Sequence, residues 1–171
     1  MSENFLNVSY VIIGSKERLS RVKSYQIEKG AECLLCPFQS LQELPSILDS
    51  KIADLDSSVI SLIPAGAFPR KAAREQLIHF SRSEYQFWGW YHFGNKFKGA
   101  SQRIRKLNTF LNKVPQLEQG IFFSKLLYFS VGGLGDSGDN PFAELAKRFY
   151  LRLDPQKPLP SLTIRAKSLL N

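Results

Sequence analysis

The chain has 171 residues, 43% of them hydrophobic and 22% charged, and carries a formal net charge of +8 at pH 7. That composition excludes disordered and fibrous classes, and the length suits a single domain over residues 1–171 that buries about two thirds of the surface its unfolded form exposes. No apolar run approaches the ~20 residues needed to cross a bilayer, and "MSENFLNVSYVIIGSKERL" lacks the basic start and longer apolar stretch of a signal peptide, so the expectation is a cytoplasmic protein.

"NVSYVIIG" is a short apolar run with β-branched residues closed by Gly14, which suits a buried strand. "SKERLSRVKSYQIEKG" follows with Leu19, Val22, Tyr25 and Ile27 at near-helical spacing and Gly30 at the C-cap, so a helix is expected over this whole segment. "AECLLCPF" predicts a second strand. "SLQELPSILDSKIADLD" predicts a helical or irregular connection broken at Pro45, and "SSVISLIP" a third strand. Pro69 opens the helix "PRKAAREQLIHF", because the N–H it lacks has no partner in the first helical turn anyway. This alternation predicts an α/β fold with a mainly parallel sheet flanked by helices on both faces.

The second half changes character. "EYQFWGWYHFG" is aromatic on both parities, which predicts a strand covered on both faces. "SQRIRKLNTFLNK" reads as a helix with Ile104, Leu107 and Leu111 inward. "QGIFFSKLLYFSVGG" gives a short strand, a helical turn and a Gly pair. "NPFAELAKRFYLRL" gives a helix with Asn140 at the N-cap, Pro141 at the first position and an apolar stripe of Leu145, Phe149 and Leu153. The tail "LPSLTIRAKSLLN" suits a last strand and a short helix.

Cys33 and Cys36 form a lone C-x-x-C within the second strand. A redox pair needs its first Cys at a helix N-terminus and a zinc site needs two further ligands, so both thiols are expected to be buried and inert. His79 and His92 have no second His at ligand spacing. Charge is uneven: residues 1–84 balance ten Lys/Arg against ten Asp/Glu, whereas residues 85–117 hold six basic residues and no acid. Arg103 and Lys106, three apart, share a helix face and make a positive stripe. Such a stripe suits an anionic membrane surface, a lipid-phosphate acceptor, nucleic acid or simply solvent. Nucleic acid is disfavoured by the absence of any recognised motif for it.

The tags "FWGWYHFG", "LNTFLNK", "LEQGIFFSKLLYFSVGGLGD", "AELAKRF" and the late Leu-Pro, in this order and spacing, resemble the C-terminal half of family 2 glycosyltransferases of the GT-A fold. Upstream, "VSYVIIGSKERL", "GAECLLC" and "VISLIPAGAFP" stand where the family has its I-I-P-x-x-N-E, G-x-E-V-I-V-V-D and L-F-L-H-A-D-T-x-L-P strand ends. The resemblance covers about residues 8–165. The chain is shorter than the family's usual length, and the missing part falls between Cys36 and Ser58.

What this resemblance implies is a nucleotide-diphospho-sugar transferase domain with three acidic stations, and this chain departs from each. The nucleoside-holding Asp falls on Cys36 or Pro37. The Asp that ligates Mg²⁺ or Mn²⁺ on the diphosphate falls on Ala65. The general base falls on Pro141 or Phe142, with Asp136 and Asp139 just upstream as the substitutes. Glu118 and Gln119 match the family's acceptor-side D-Q pair; Gln119 otherwise satisfies local backbone at the strand entry. Trp88 either stacks on a sugar or base or belongs to the core. The expected site is therefore Asp136 and Asp139 for catalysis and Glu118, Gln119, Trp88, Arg103 and Lys106 for substrate, with no metal ligand. The expected function is a degenerate, glycosyltransferase-like protein, impaired in metal-dependent catalysis, that takes a nucleotide sugar. The alternatives are a non-catalytic domain that binds a protein partner, a nucleotide or an anionic surface, at the membrane periphery in the last case, and a basic nucleic-acid-binding protein.

Overall fold

In the computed structural model, residues 7–22, 25–92, 115, 119–135 and 141–164 are described. The chain runs β1 (Val8–Gly14), α1 (Lys16–Ser20), β2 (Ala31–Pro37), α2 (Leu44–Ala53), β3 (Val59–Pro64), β4 (Ala67–Phe68), α3 (Lys71–Ser81) and β5 (Trp88–Trp90). After the stretch 93–114 come β6 (Ile121–Ser124), α4 (Lys125–Ser130), α5 (Pro141–Tyr150) and β7 (Thr163–Ile164). Five strands form one sheet in the order β2-β1-β3-β6-β5, and β4 pairs with β7 in a separate two-stranded sheet.

β1 lies parallel to both β2 and β3, whereas β6 runs antiparallel to both β3 and β5. Four strands therefore point one way and β6 points the other. The sheet is mixed but mostly parallel, as expected, with β6 as the exception. β3 and β1 are buried along almost their whole length because elements cover both faces.

One face carries α2, α4 and α5, whose Leu48, Ile52, Tyr128, Leu145 and Phe149 join Val11 and Phe123 of the sheet in one core. The other face carries α1 and α3 through Leu19, Ala73 and Leu77, packed with Tyr10, Phe68 and Phe122. Alternation along β1 explains the division, since successive side chains of a strand point to opposite faces.

Several expectations are corrected. The first helix stops at Ser20, with Arg21 as its C-cap, instead of running to Gly30. Tyr25 stacks on Phe68 at 4.1 Å between ring centroids, and Ile27 is exposed, so this apolar spacing serves a covering loop. Pro45 opens α2 rather than breaking it, because it falls at the start of the helix, where its missing N–H costs nothing. Pro69 lies outside α3, which begins at Lys71. β5 is covered on both faces as expected: Trp88, Gly89 and Trp90 are all buried. A Cβ on Gly89 would come within 2.6 Å of the Phe122 ring, so only glycine lets β6 lie this close. The helix expected from "SQRIRKLNTFLNK", the Asn140 cap and the end of the tail lie outside the described residues.

The Gly pair after α4 is held from two sides. Asp49 of α2 accepts hydrogen bonds from the Tyr128 hydroxyl and from the Leu134 N–H, the latter at 2.9 Å. Arg148 of α5 donates to the carbonyl oxygens of Val131, at 3.1 Å, and Leu134. Burial and the Asp49 carboxylate push the Tyr128 phenol well above its usual range, so it stays protonated and donates. Gly133 has φ +68°, and a Cβ there would meet the Asp49 carboxylate at 2.7 Å.

Candidate functional site

Open α/β sheets bind ligands beyond the carboxyl ends of their parallel strands, where the winding of the chain reverses. Here β1 leads outward to β2, and the chain then crosses back past β1 to β3, so the reversal falls between β1 and β3. A cleft of about 190 Å³ opens at that point. Its walls are apolar: Ile13, Phe38, Pro64 and Ala65. Its polar rim is Ser15, Arg18 and Gln39.

Backbone ladders fix this geometry. Gly14 is in register with Pro37, and Ile13 with Pro64. The pairing runs one residue further on each side: the Phe38 N–H donates to the Gly14 carbonyl at 3.1 Å, and the Ala65 N–H donates to the Ile13 carbonyl at 2.9 Å. The ends of β1 and β3 approach so closely that a Cβ on Gly14 would lie 2.9 Å from the Ala65 Cβ. Gly66 then turns the chain with φ 82°.

Among the described residues no carboxylate lines this cleft. Glu43, four residues beyond Gln39, accepts from the backbone N–H groups of Gln39 and Ser40, the second at 3.1 Å, and so holds the loop after β2 instead of facing a ligand. Glu17 of α1 is ion-paired with Arg21 at 2.5 Å. Arg18, exposed at the rim, forms no ion pair with a described residue. Among the described residues no group of three His, Cys, Asp or Glu side chains is disposed to hold a metal ion. The donor set therefore does not fit the Mg²⁺ or Mn²⁺ implied by the resemblance: the strand end that would carry the ligand offers the methyl group of Ala65.

The sequence-predicted site residues are scattered. Trp88 is wholly buried in the core, packed edge-on against Tyr150 at 4.7 Å, with its indole N–H donating to the Leu153 carbonyl at 2.8 Å. Its ring is enclosed by protein, which is the core alternative of the two and leaves it no face for a ligand. Gln119 is buried next to β6, and its side-chain amide donates to the Tyr91 carbonyl at 3.1 Å, which fastens the entry of β6 to the end of β5. Asp136, Asp139, Glu118, Arg103 and Lys106 lie outside the described residues. Arg18, Phe38 and Gln39 were missed; the only signal for them was their position just after strand ends.

The C-x-x-C pair is separated by the strand itself. Cys33 and Cys36 are three residues apart on β2, so they point to opposite faces with Cα atoms ~10 Å apart by strand geometry, too far for a disulfide. Cys36 is buried, but Cys33 is exposed on the edge strand, contrary to the expectation of two buried thiols. Although the residue is exposed, protein atoms crowded around its sulfur strip it of part of its water, and this, then the Glu32 carboxylate, push the Cys33 thiol up to about 11, which leaves it mostly protonated at neutral pH.

No helix of the described residues is long and apolar enough to cross a membrane. No protein-family model matches the chain, and no curated protein matches it.

Proposed function

We propose that the chain is a glycosyltransferase-like domain of the GT-A type, related to family 2, that keeps a nucleoside-binding cleft and has lost metal-dependent sugar transfer. The observation that carries this reading is the composition of the cleft at the winding reversal: among the described residues it has apolar walls, Arg18 as the cation at its rim and no acid.

The chemistry follows from that composition. A nucleobase suits the walls formed by Ile13, Phe38 and Pro64, because flat apolar surface is removed from water on both sides. Arg18 supplies a planar cation able to donate two hydrogen bonds to a phosphate. The cleft, at about 190 Å³, is smaller than the roughly 300–1,000 Å³ of sites that enclose drug-sized ligands, so it suits a nucleoside part better than an entire sugar nucleotide. Transfer itself requires the diphosphate charge to be neutralised as it leaves, and one arginine at an open rim does less of this than a divalent ion.

The test is thermal unfolding of the purified protein with a panel of nucleoside mono- and diphosphates and their sugars, with Mn²⁺ or with EDTA. Ligand at 100 times its dissociation constant stabilises the folded state by ~2.7 kcal/mol. The expected outcome is a shift with a nucleoside phosphate that is the same in Mn²⁺ and EDTA and is lost in Arg18→Ala. A shift that requires Mn²⁺, or sugar transfer to any acceptor, would overturn the loss of metal chemistry; no shift across the panel would overturn the nucleoside cleft.

A further inference from the structure

A second concavity lies at the opposite end of the sheet. A groove of about 460 Å³ is bounded by Asp56 and Ser58 before β3, Glu84 and Tyr85 before β5, and the first turn of α4. Three large apolar side chains stand on it in water: Tyr85 is 83% exposed, Leu126 67% and Phe129 41%. Scattered exposed apolar residues are ordinary, but three converging on one groove mark a contact surface.

The groove is rigidly built. The Lys125 N–H donates to the Ser58 carbonyl at 2.8 Å and the Ser124 N–H to the Phe87 carbonyl at 2.9 Å, which ties the three segments together. The Lys125 ammonium donates to the carbonyls of Ala53 and Leu55 at the end of α2, so its donors are turned away from a visitor. Ser124 stands at the N-cap of α4 yet makes no capping bond. It is 8% exposed where it lines the groove, and its hydroxyl has no partner. A buried hydroxyl left unpaired is costly, and a polar group brought into the groove would satisfy it.

Charge decides between occupants. In a chain of net charge +8, this groove carries two exposed acids, Asp56 and Glu84, neither of which is ion-paired with a described residue, against one cation, Lys125, whose ammonium is held by the Ala53 and Leu55 carbonyls. An anionic bilayer is repelled by that pair, and a basic segment is attracted. We propose that this groove docks a peptide segment of a partner protein that sets apolar side chains against Leu126, Phe129 and Tyr85 and a lysine or arginine beside Asp56 and Glu84, with a polar group meeting the Ser124 hydroxyl. The site is independent of the nucleoside cleft and stands whether or not that cleft binds.

The experiment is selection of a phage-displayed random peptide library on the immobilised full chain, followed by affinity measurement with synthetic copies of the selected peptides. The expected peptides place Lys or Arg within a few residues of an aromatic or aliphatic side chain. Their affinity should fall at least tenfold in Leu126→Asp and in Glu84→Lys, weaken as salt is raised, and stay unchanged in Arg18→Ala. Both groove positions are exposed, so the variants should melt like the parent; if Leu126→Asp does not fold, Glu84→Lys carries the test alone. The proposal is overturned if no peptide is selected, if the selected peptides are acidic or uncharged, or if Leu126→Asp and Glu84→Lys leave binding unchanged. It is also overturned if sedimentation equilibrium finds a dimer that Leu126→Asp dissolves, which would give the groove to a second copy. Cosedimentation with phosphatidylserine vesicles that depends on Leu126 would give it to a membrane and overturn the proposal in the same way.

Discussion

The two ends of the sheet differ in charge and in construction. At the carboxyl ends of the parallel strands the cleft is walled by backbone-fixed apolar residues, has a cation at its rim and, among the described residues, lacks any acid. At the amino ends the groove is built from loops and the first turn of α4, with exposed apolar side chains and two acids. The strand ends set the first by register, which the two ladders of β1 fix; the second depends on three segments meeting. An anion-seeking end and a cation-seeking end on one small sheet suit two different ligands.

The most damaging test removes what both ends share. Phe123 is wholly buried in β6 between them, stacked on Tyr128 with ring centroids 5.0 Å apart. Phe123→Ala should cost ~3–5 kcal/mol in urea unfolding and disorder both ends together. A loss below ~1 kcal/mol would mean that β6 does not join them.

The glycine turn gives a sharper contrast. Gly133→Ala should destabilise by ~1–3 kcal/mol, because both the positive φ and the Asp49 carboxylate oppose a Cβ. Gly132 also has a positive φ, +85°, but nothing lies within 4 Å of a Cβ there, so Gly132→Ala should fall at the lower end of that range. Equal losses would argue that conformation alone, without the Asp49 staple, sets the turn.

Restoring an acid to the cleft asks how much of the metal site is gone. Ala65 is buried beside Gly14, so Ala65→Asp should lower stability by ~1–3 kcal/mol by burying a polar group without a partner. It should not create Mn²⁺ binding in calorimetry, since one carboxylate offers too few oxygens. Measurable Mn²⁺ binding would mean that the remaining ligands are already in place.

Alkaline titration probes the shared core more gently. Burial holds the Cys33 thiol at about 11 against 9.0 and the Tyr150 phenol at about 12 against 10.0, and raises Tyr10, Tyr91 and Tyr128 as well. Between the unfolded and folded values the folded chain binds more protons than the unfolded chain, so stability falls with rising pH. The contribution is intact below pH 9.0 and is lost as pH climbs through about 11 to 12. Tyrosinate absorbance followed alongside circular dichroism should show the buried tyrosines ionising together with unfolding. The smallest effect is expected for Arg18→Ala, which is exposed and should change stability by no more than ~0.5 kcal/mol while removing nucleoside-phosphate binding.

By itself the sequence determined where the strands lie and what they lack. Runs such as "VSYVIIG" and "VISLIP" are β-branched and apolar without a break, which only a doubly covered strand accommodates, and Ala65 at the end of β3 excluded an acid before any coordinates were known. Local spacing misled where tertiary contacts set the conformation: Leu19, Val22, Tyr25 and Ile27 have helical spacing, yet the helix stops at Ser20 and Tyr25 is stacked on Phe68. Tertiary structure alone decided that β6 runs against its neighbours, that Trp88 faces the core, and that Tyr85, Leu126 and Phe129 share one groove with Asp56 and Glu84. Strand propensity and burial are properties of neighbouring residues and can be read along the chain. Direction, facing and convergence arise between residues tens of positions apart, and only packing brings those together.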